Sequence, residues 1–274
     1  MIPAEFRYTR ASTVDEALDL LATHGDEAKV LAGGHSLLPL MKLRLAAPEY
    51  VVDIGPVGEL RYVRIEGDEV AIGALSRYRD LALDPVLLKH APLLAEVSGS
   101  VGDRQVRHRG TIGGSLAHAD PAADLPAAVL ASDATLVARG PDGERRIPAA
   151  EFFLGPFTTP LDPAELLTEV RVPRQTGAGW AFEKFTRRAI DWAMVGVTVT
   201  GGRVGLVNMG GVPLRATATE QALAAGASIE EAAALAAEGT NPPDEPHATA
   251  EYRRHLARVL TRRALTRADA RRSG

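Results

Sequence analysis

The hydrophobic pattern at the start of the chain predicts a small α/β unit. Over residues 13–22, apolar residues fall on one face of a predicted helix. Ser12 and Thr13 are its candidate N-terminal caps, and its first turn is acidic. Two short apolar runs, 29–31 and 50–55, predict strands, and a glycine-rich turn and a connection over 37–45 separate them. This order of elements indicates a first α/β subdomain that ends near residue 56.

The middle of the chain combines hairpin signals with helical stretches. The segments 66–69 and 140–143 contain Gly with Asp or Pro and lie between apolar, branched residues, which is typical of antiparallel hairpins. Longer apolar stretches predict helices. The predicted elements here are strands 62–65, 70–73, 135–139, 145–147 and 166–172, and helices 87–98 and 124–131.

A small, glycine-containing segment, 175–179, follows a proline and predicts a linker. Beyond it the chain predicts strands within 180–185 and 195–207 and helices over 216–223, 229–237 and 252–272, the last one rich in arginine. We therefore expect a first domain over 1–175, with subdomains of about 1–56 and 57–175, and a second domain over 176–274.

The composition excludes several classes of protein. The chain has 274 residues and a formal net charge of −4, and it has no basic stripe with interleaved aromatic residues that would indicate a nucleic-acid partner. It contains no cysteine, which excludes disulfides, a cysteine-ligated zinc site and a cysteine-ligated iron–sulfur cluster on this chain. With neither a leader-like start nor an apolar run of about 18 residues, we expect a cytoplasmic protein without a membrane span.

Two glycine-centred segments are the candidate ligand-binding sites. The first runs from Ala32 through Gly33-Gly34-His35-Ser36 to Pro39 and follows a predicted strand, and the second runs from Gly110 through Thr111-Ile112-Gly113-Gly114-Ser115 to Asp124. Paired glycines allow close approach of a ligand, and successive free N–H groups in such turns bind anions. Neither segment fits the Rossmann or Walker pattern, and each is also compatible with ordinary turns. From these residues alone, a phosphate-bearing ligand is one of two open interpretations.

The basic residues in and before these two segments do not indicate one particular ligand. His35 and His118 lie inside the two segments, but a metal site needs more converging ligands, so we expect none. Arg104, Arg107 and Arg109 precede the second segment, where they would steer a phosphate, contact a partner or be solvated.

Three longer segments resemble a known family. They are AGGHSLLPLMKLRLAAPEYVVDIG, VGDRQVRHRGTIGGSLAHADPAADLPAAVLASDA and FEKFTRRAIDWAMV, and in this order and spacing they resemble the FAD-binding medium subunits of the xanthine dehydrogenase (molybdenum hydroxylase) family, nearest to those of aerobic carbon monoxide dehydrogenases. The resemblance covers essentially the whole chain. It implies an α+β fold of the vanillyl-alcohol-oxidase/p-cresol methylhydroxylase type, with two α+β subdomains and a C-terminal α+β domain that has a short antiparallel sheet and helices.

The resemblance also implies which residues bind FAD. The two glycine segments would hold the diphosphate region, Asp124 would contact the cofactor, and an aromatic residue at position 192 would lie near the isoalloxazine or serve as a core or interface residue. Lys184 matches a contacting position, with Glu183 as the alternative register. The implied set is Ala32, Gly33, Gly34, His35, Ser36, Thr111, Ile112, Gly113, Gly114, Ser115, Asp124, Leu166, Lys184 and Trp192.

The family's function implies a division of labour between chains. A large molybdenum-cofactor subunit would oxidise the substrate, a small iron–sulfur subunit would relay the electrons, and this chain's FAD would collect them for an external acceptor. No general acid or base is expected on this chain. Two alternatives remain open: a self-sufficient FAD-dependent oxidoreductase with its own small substrate, and a non-catalytic scaffold that has lost FAD.

Overall fold

The first unit of the structure, a computed structural model that describes residues 2–272, contains a three-stranded parallel sheet. The strand order is β1-β3-β2, with the middle strand buried. Its elements are β1 (Arg7–Arg10), α1 (Val14–His24), β2 (Ala28–Leu31), α2 (Leu37–Lys42) and β3 (Tyr50–Asp53).

The predicted helix and both predicted strands of this unit are confirmed. The Thr13 side chain caps α1 by accepting a hydrogen bond from the Glu16 N–H at 3.1 Å. Two elements differ from the prediction. The strand β1 was not predicted because all four of its residues are exposed and none shows the apolar alternation of a strand. The predicted connection over 37–45 contains helix α2, in whose first turn Pro39 is tolerated.

The second unit is built on a five-stranded antiparallel sheet with strand order β4-β5-β8-β6-β7. Both predicted hairpins, β4–β5 and β6–β7, are confirmed. The strands are β4 (Val63–Glu66), β5 (Glu69–Gly73), β6 (Thr135–Gly140), β7 (Gly143–Pro148) and β8 (Leu166–Pro173). The helices are α3 (Tyr78–Leu83), α4 (Pro85–His90), α5 (Pro92–Ser100), α6 (Arg104–Arg109), α7 (Ile112–His118), α8 (Asp124–Ala131) and α9 (Ala149–Phe152).

The observed helices of this unit agree only in part with those predicted from the sequence. Helix α8 has the predicted bounds. The prediction of one helix over 87–98 is wrong, because α4 ends at His90 and α5 begins at Pro92. A proline lacks the N–H that continues a helix, and its ring clashes with the preceding turn. Helices α5 and α8 pack together and join the sheet in the largest hydrophobic core of the protein.

The third unit is a four-stranded antiparallel sheet, order β12-β11-β10-β9, covered by helices. The apolar run 195–207 forms two strands rather than one, because Gly201 and Gly202 turn the chain with positive φ angles of 56° and 85°. The elements are β9 (Trp180–Phe185), β10 (Val195–Thr200), β11 (Arg203–Val207), β12 (Leu214–Arg215), α10 (Thr217–Ala224), α11 (Ile229–Ala234) and α12 (Ala250–Ala270).

Helix α8 forms the contact between the second and third units. The Thr198 hydroxyl donates to the Ala127 carbonyl at 3.1 Å, and a Cβ on Gly205 would lie 2.4 Å from the same carbonyl oxygen. On the other side of the third sheet, Arg267 of α12 donates to Glu96 of α5 and to Glu183 of β9. These contacts fix β9 and α8 relative to each other. Across residues 2–272, no helix is long and apolar enough to cross a membrane.

Candidate functional site

The first glycine segment connects the end of β2 to the start of α2 and presents free backbone donors. Within residues 2–272, none of the N–H groups of Gly33, Gly34, His35 and Ser36 donates a hydrogen bond to the protein. Gly34 has a φ of +78°, which a residue with a side chain rarely adopts. Successive N–H groups in such a turn form a concavity that favours an anion.

The second segment differs from the predicted anion-binding turn, because it forms the N-terminus of helix α7 and the N–H groups of residues 112–115 already donate within the protein. The Ile112 N–H donates to the Ser76 carbonyl at 3.1 Å and the Gly113 N–H to the Ala74 carbonyl at 2.8 Å. The Gly114 N–H donates to the Thr111 side chain, which caps the helix. The expectation of free N–H groups on this segment is therefore wrong; its hydroxyl groups remain.

The two glycine segments pack against each other. A Cβ on Gly33 would lie 2.4 Å from the Arg109 carbonyl oxygen and 3.0 Å from the Cα of Gly110. A Cβ on Gly113 would lie 2.5 Å from the Cβ of Ala74 on the other side of α7. Contacts this short require that the backbone move, so glycine at position 33 lets the two segments lie side by side, and glycine at position 113 lets α7 pack on Ala74.

A buried ion pair lies at the next helix along the chain. Asp124, the first residue of α8, is 5% exposed, and its Oδ2 accepts a hydrogen bond from Lys184 Nζ of β9 at 2.7 Å. Its second oxygen, Oδ1, is buried without a partner in the described part of the chain. A buried carboxylate oxygen without a donor is costly, and a ligand hydroxyl would satisfy it.

Burial dominates the protonation of this carboxyl group. Removal from water raises the pKa of Asp124, and the neighbouring Lys184 ammonium lowers it, with burial the larger effect. Of the two residues named as alternatives for a cofactor contact, Lys184 faces Asp124, whereas the Glu183 side chain faces the opposite way and accepts from Arg267 at 2.8 Å. The alternating directions of side chains along a strand explain this difference.

A pH titration tests this assignment. Because the folded-state pKa of Asp124 lies above its ordinary value of 3.8, the folded protein holds this proton more tightly than the unfolded chain. The contribution of this proton to the free energy of unfolding is complete below pH 3.8, and it is lost as the pH rises through the folded-state pKa of Asp124. We expect Asp124→Asn to lack this loss in denaturant unfolding measured across that window; identical pH profiles for both proteins would contradict the assignment.

A polar cleft of about 430 Å³ lies beside the ion pair, between the end of α5 and the β9–β10 loop. Arg107 lines it and donates to the carbonyls of Val101 and Gly102 at 2.9 and 2.8 Å, so this arginine holds the cleft wall. The cleft is lined by Gly99, Ser100, Gly102, Arg107, Lys184, Thr186 and Ala189. Lys184, which pairs with the buried Asp124, thus reaches the wall of this cleft.

Comparison with known proteins identifies the family. The protein-family model for the FAD binding domain in molybdopterin dehydrogenase matches residues 4–175. The family model for the CO dehydrogenase flavoprotein C-terminal domain matches residues 180–268. The chain belongs to the FAD-binding medium chains of the carbon monoxide dehydrogenase family. It is an oxidoreductase subunit of the molybdenum hydroxylase type, and FAD is its cofactor.

Curated relatives and solved structures agree over the full length. The medium chain of carbon monoxide dehydrogenase from Hydrogenophaga pseudoflava is 42% identical, over 99% of each chain. The glyceraldehyde dehydrogenase medium chain of Sulfolobus acidocaldarius is 36% identical, over 96% of this chain and 98% of that one. A structure of the Hydrogenophaga pseudoflava carbon monoxide dehydrogenase superposes with a TM-score of 0.95 at 44% identity and 100% coverage of both chains. The family, the α+β fold and the cofactor predicted from the sequence are confirmed.

Two of the residues predicted to contact FAD lie apart from the others. Leu166 begins β8, is 4% exposed and packs in the core of the first unit with Ala11 and Leu75. Trp192 lies in the β9–β10 loop, is 61% exposed and lines a different cleft, of about 590 Å³, together with Phe157. Their contacts with the cofactor remain predictions.

The remaining basic residues are also placed. Arg104, Arg109 and His35 are exposed, and the His118 ring packs on Phe157 with a centroid distance of 5.1 Å. Within residues 2–272, no group of three or more metal-ligating side chains converges. The segment from Ala74 to Tyr78, which holds α7 in place, was missed, because neither spacing nor composition distinguishes it from an ordinary loop and helix start.

Proposed function

We propose that this FAD subunit transfers electrons, accepting them from iron–sulfur clusters on a partner subunit and passing them to an external acceptor. The cofactor would lie between a domain over 1–175, with subdomains of about 1–56 and 57–175, and a C-terminal domain over 176–274. The observation that carries the proposal is that, within residues 2–272, Oδ1 of Asp124 is buried without a partner and the four N–H groups of residues 33–36 donate to no protein acceptor. An extended cofactor with a diphosphate and several hydroxyl groups fits both features.

The chain's own residues would hold the cofactor in distinct ways. The N–H groups of residues 33–36 would bind the diphosphate, with the Ser36 and Ser115 hydroxyls as further donors. Asp124 would accept from a cofactor hydroxyl, and Lys184, held at 2.7 Å from Asp124, would keep its ammonium against the cofactor's polar edge. The other proposed contacts are Ala32, Thr111, Ile112, Gly113, Gly114, Leu166 and Trp192.

When bound, flavin supplies the exchange of electrons singly or in pairs, while the protein orients it and shields it from water. The proposal needs no general acid or base on this chain. The absence of cysteine in the sequence supports placing the iron–sulfur clusters on a separate small subunit and the molybdenum cofactor on a large one. The designation of relatives as medium chains is consistent with such an assembly.

The test compares the isolated chain with the assembled complex. We expect the flavin absorption band of the complex to bleach anaerobically with a substrate that reduces its iron–sulfur clusters, and the flavin-loaded chain alone to stay oxidised with the same substrate. Carbon monoxide and glyceraldehyde form the first panel, because the relatives are named for them. Direct bleaching of the isolated chain would instead support a self-sufficient oxidoreductase, and a complex without flavin would support a scaffold.

A further inference from the structure

Tyr78 lies directly behind the second glycine segment. It begins helix α3, is 6% exposed, and its backbone N–H donates to the Gly110 carbonyl at 3.1 Å. The ring packs so closely on Gly110 that a Cβ there would lie 2.4 Å from the tyrosine Cε2. On its opposite side Gly110 meets Gly33, because a Cβ on Gly33 would lie 3.0 Å from the Gly110 Cα. Tyr78 is thus in the same packed layer as both glycine segments.

Two groups of the proposed cofactor site act on the Tyr78 phenol. They are the side chain of Ser115 and the carboxylate of Asp124. Burial is the main cause that raises the pKa of Tyr78 to about 12, and the Asp124 charge adds to it, while Ser115 acts in the opposite direction. The phenol is therefore a protonated donor at every pH at which the protein would be studied.

We propose that Tyr78 is a further cofactor-binding residue, whose phenol hydroxyl donates a hydrogen bond to an oxygen of FAD alongside Ser115 and Asp124. The inference rests on the proposed location of FAD on these segments. It explains why a tyrosine, rather than an apolar ring of similar size, fills this buried position. Asp124, one of the two groups that act on this phenol, carries a buried oxygen that has no hydrogen-bond partner within residues 2–272.

A partly buried phenol, that of Tyr62, provides a control. The Tyr62 hydroxyl donates to Glu169 Oε2 at 2.6 Å, on the five-stranded sheet, and Arg64 lies over its ring at 4.2 Å. That hydroxyl is used within the protein, so its removal should affect stability and leave the cofactor site unchanged.

The experiment compares Tyr78→Phe with Tyr62→Phe in the assembled complex, stripped of flavin and titrated with FAD. Phenylalanine preserves the packing on Gly110 and removes only the oxygen. We expect Tyr78→Phe to weaken FAD binding about threefold to tenfold, the usual size of one hydrogen bond, with little change in Tm. Tyr62→Phe should lower Tm and leave the dissociation constant for FAD unchanged.

Two further measurements make the outcome decisive. Competition with ADP identifies the cofactor oxygen: weakening of both ligands by Tyr78→Phe indicates the diphosphate, and weakening of FAD alone indicates a ribityl hydroxyl or the flavin. Unchanged FAD affinity in Tyr78→Phe would overturn the inference. If Asp124→Asn still weakens binding in that case, only the role of Tyr78 fails; if neither variant has an effect, the proposed cofactor site fails as well.

Discussion

Replacing Asp124 by alanine is expected to abolish detectable FAD binding and to destabilise the folded chain by about 3–5 kcal/mol, the usual cost of removing one partner of a buried ion pair. Lys184, only 13% exposed in its side chain, would be left with an uncompensated charge. The carboxylate oxygen that is free to accept from a cofactor hydroxyl would be lost at the same time. Denaturant unfolding measures the first effect and FAD titration the second.

A double variant separates the two effects. Asp124→Leu combined with Lys184→Met removes both charges and keeps side chains of similar length and branching, so most of the stability should return. FAD binding should not return, because neither new side chain accepts a hydrogen bond. A double variant that recovers both stability and FAD affinity would show that the pair is purely structural and would contradict the proposed cofactor site.

The elements that the sequence predicted correctly are those with a strong local signal. Helix α8 is almost entirely apolar and buried, and its first residue is the aspartate singled out as a ligand. The two hairpins were predictable because their turns contain Gly with Asp or Pro, which sets the local backbone geometry. The resemblance to the medium subunits, and the FAD cofactor that it implies, could be inferred from sequence motifs alone, without knowledge of side-chain packing.

The sequence could not show which acceptor each backbone N–H group of the two segments bonds to in the folded protein. The two glycine segments look alike as sequence, but the N–H groups of residues 33–36 are free, whereas those of residues 112–115 bond to Ala74, Ser76 and Thr111. The difference arises because residues 74–76 cover α7, a long-range contact that no local pattern encodes. For the same reason the sequence could not show that Leu166 is a core residue.

The geometry of the ion pair also depends on contacts far from it in sequence. Arg267 of α12 donates to Glu96 at a length of 2.5 Å and to Glu183, the neighbour of Lys184 on β9. Gly205 brings β11 against α8, whose first residue is Asp124. The C-terminal sheet and helix therefore hold Lys184 on one side while α8 holds Asp124 on the other, which links the third unit to the cofactor site.

Replacing Gly33 by alanine is expected to separate the two glycine segments and to weaken FAD binding at least tenfold. The new Cβ would lie 2.4 Å from the Arg109 carbonyl oxygen, and a backbone atom cannot yield as a flexible side chain does. The segment must move, so the N–H groups of residues 33–36 would no longer converge on one anion. We expect a stability loss of about 1–3 kcal/mol, as for other overpacked sites.

The matched control for this variant is Gly58→Ala. A Cβ on Gly58 meets no atom within 4 Å, so the same added methyl group should leave both stability and FAD affinity essentially unchanged. Free ADP should lose affinity for Gly33→Ala by about the same factor as FAD, because the affected donors are those proposed for the diphosphate. If Gly33→Ala lost stability but bound ADP and FAD normally, the close packing of the two segments would serve the fold alone, and the diphosphate would have to bind elsewhere.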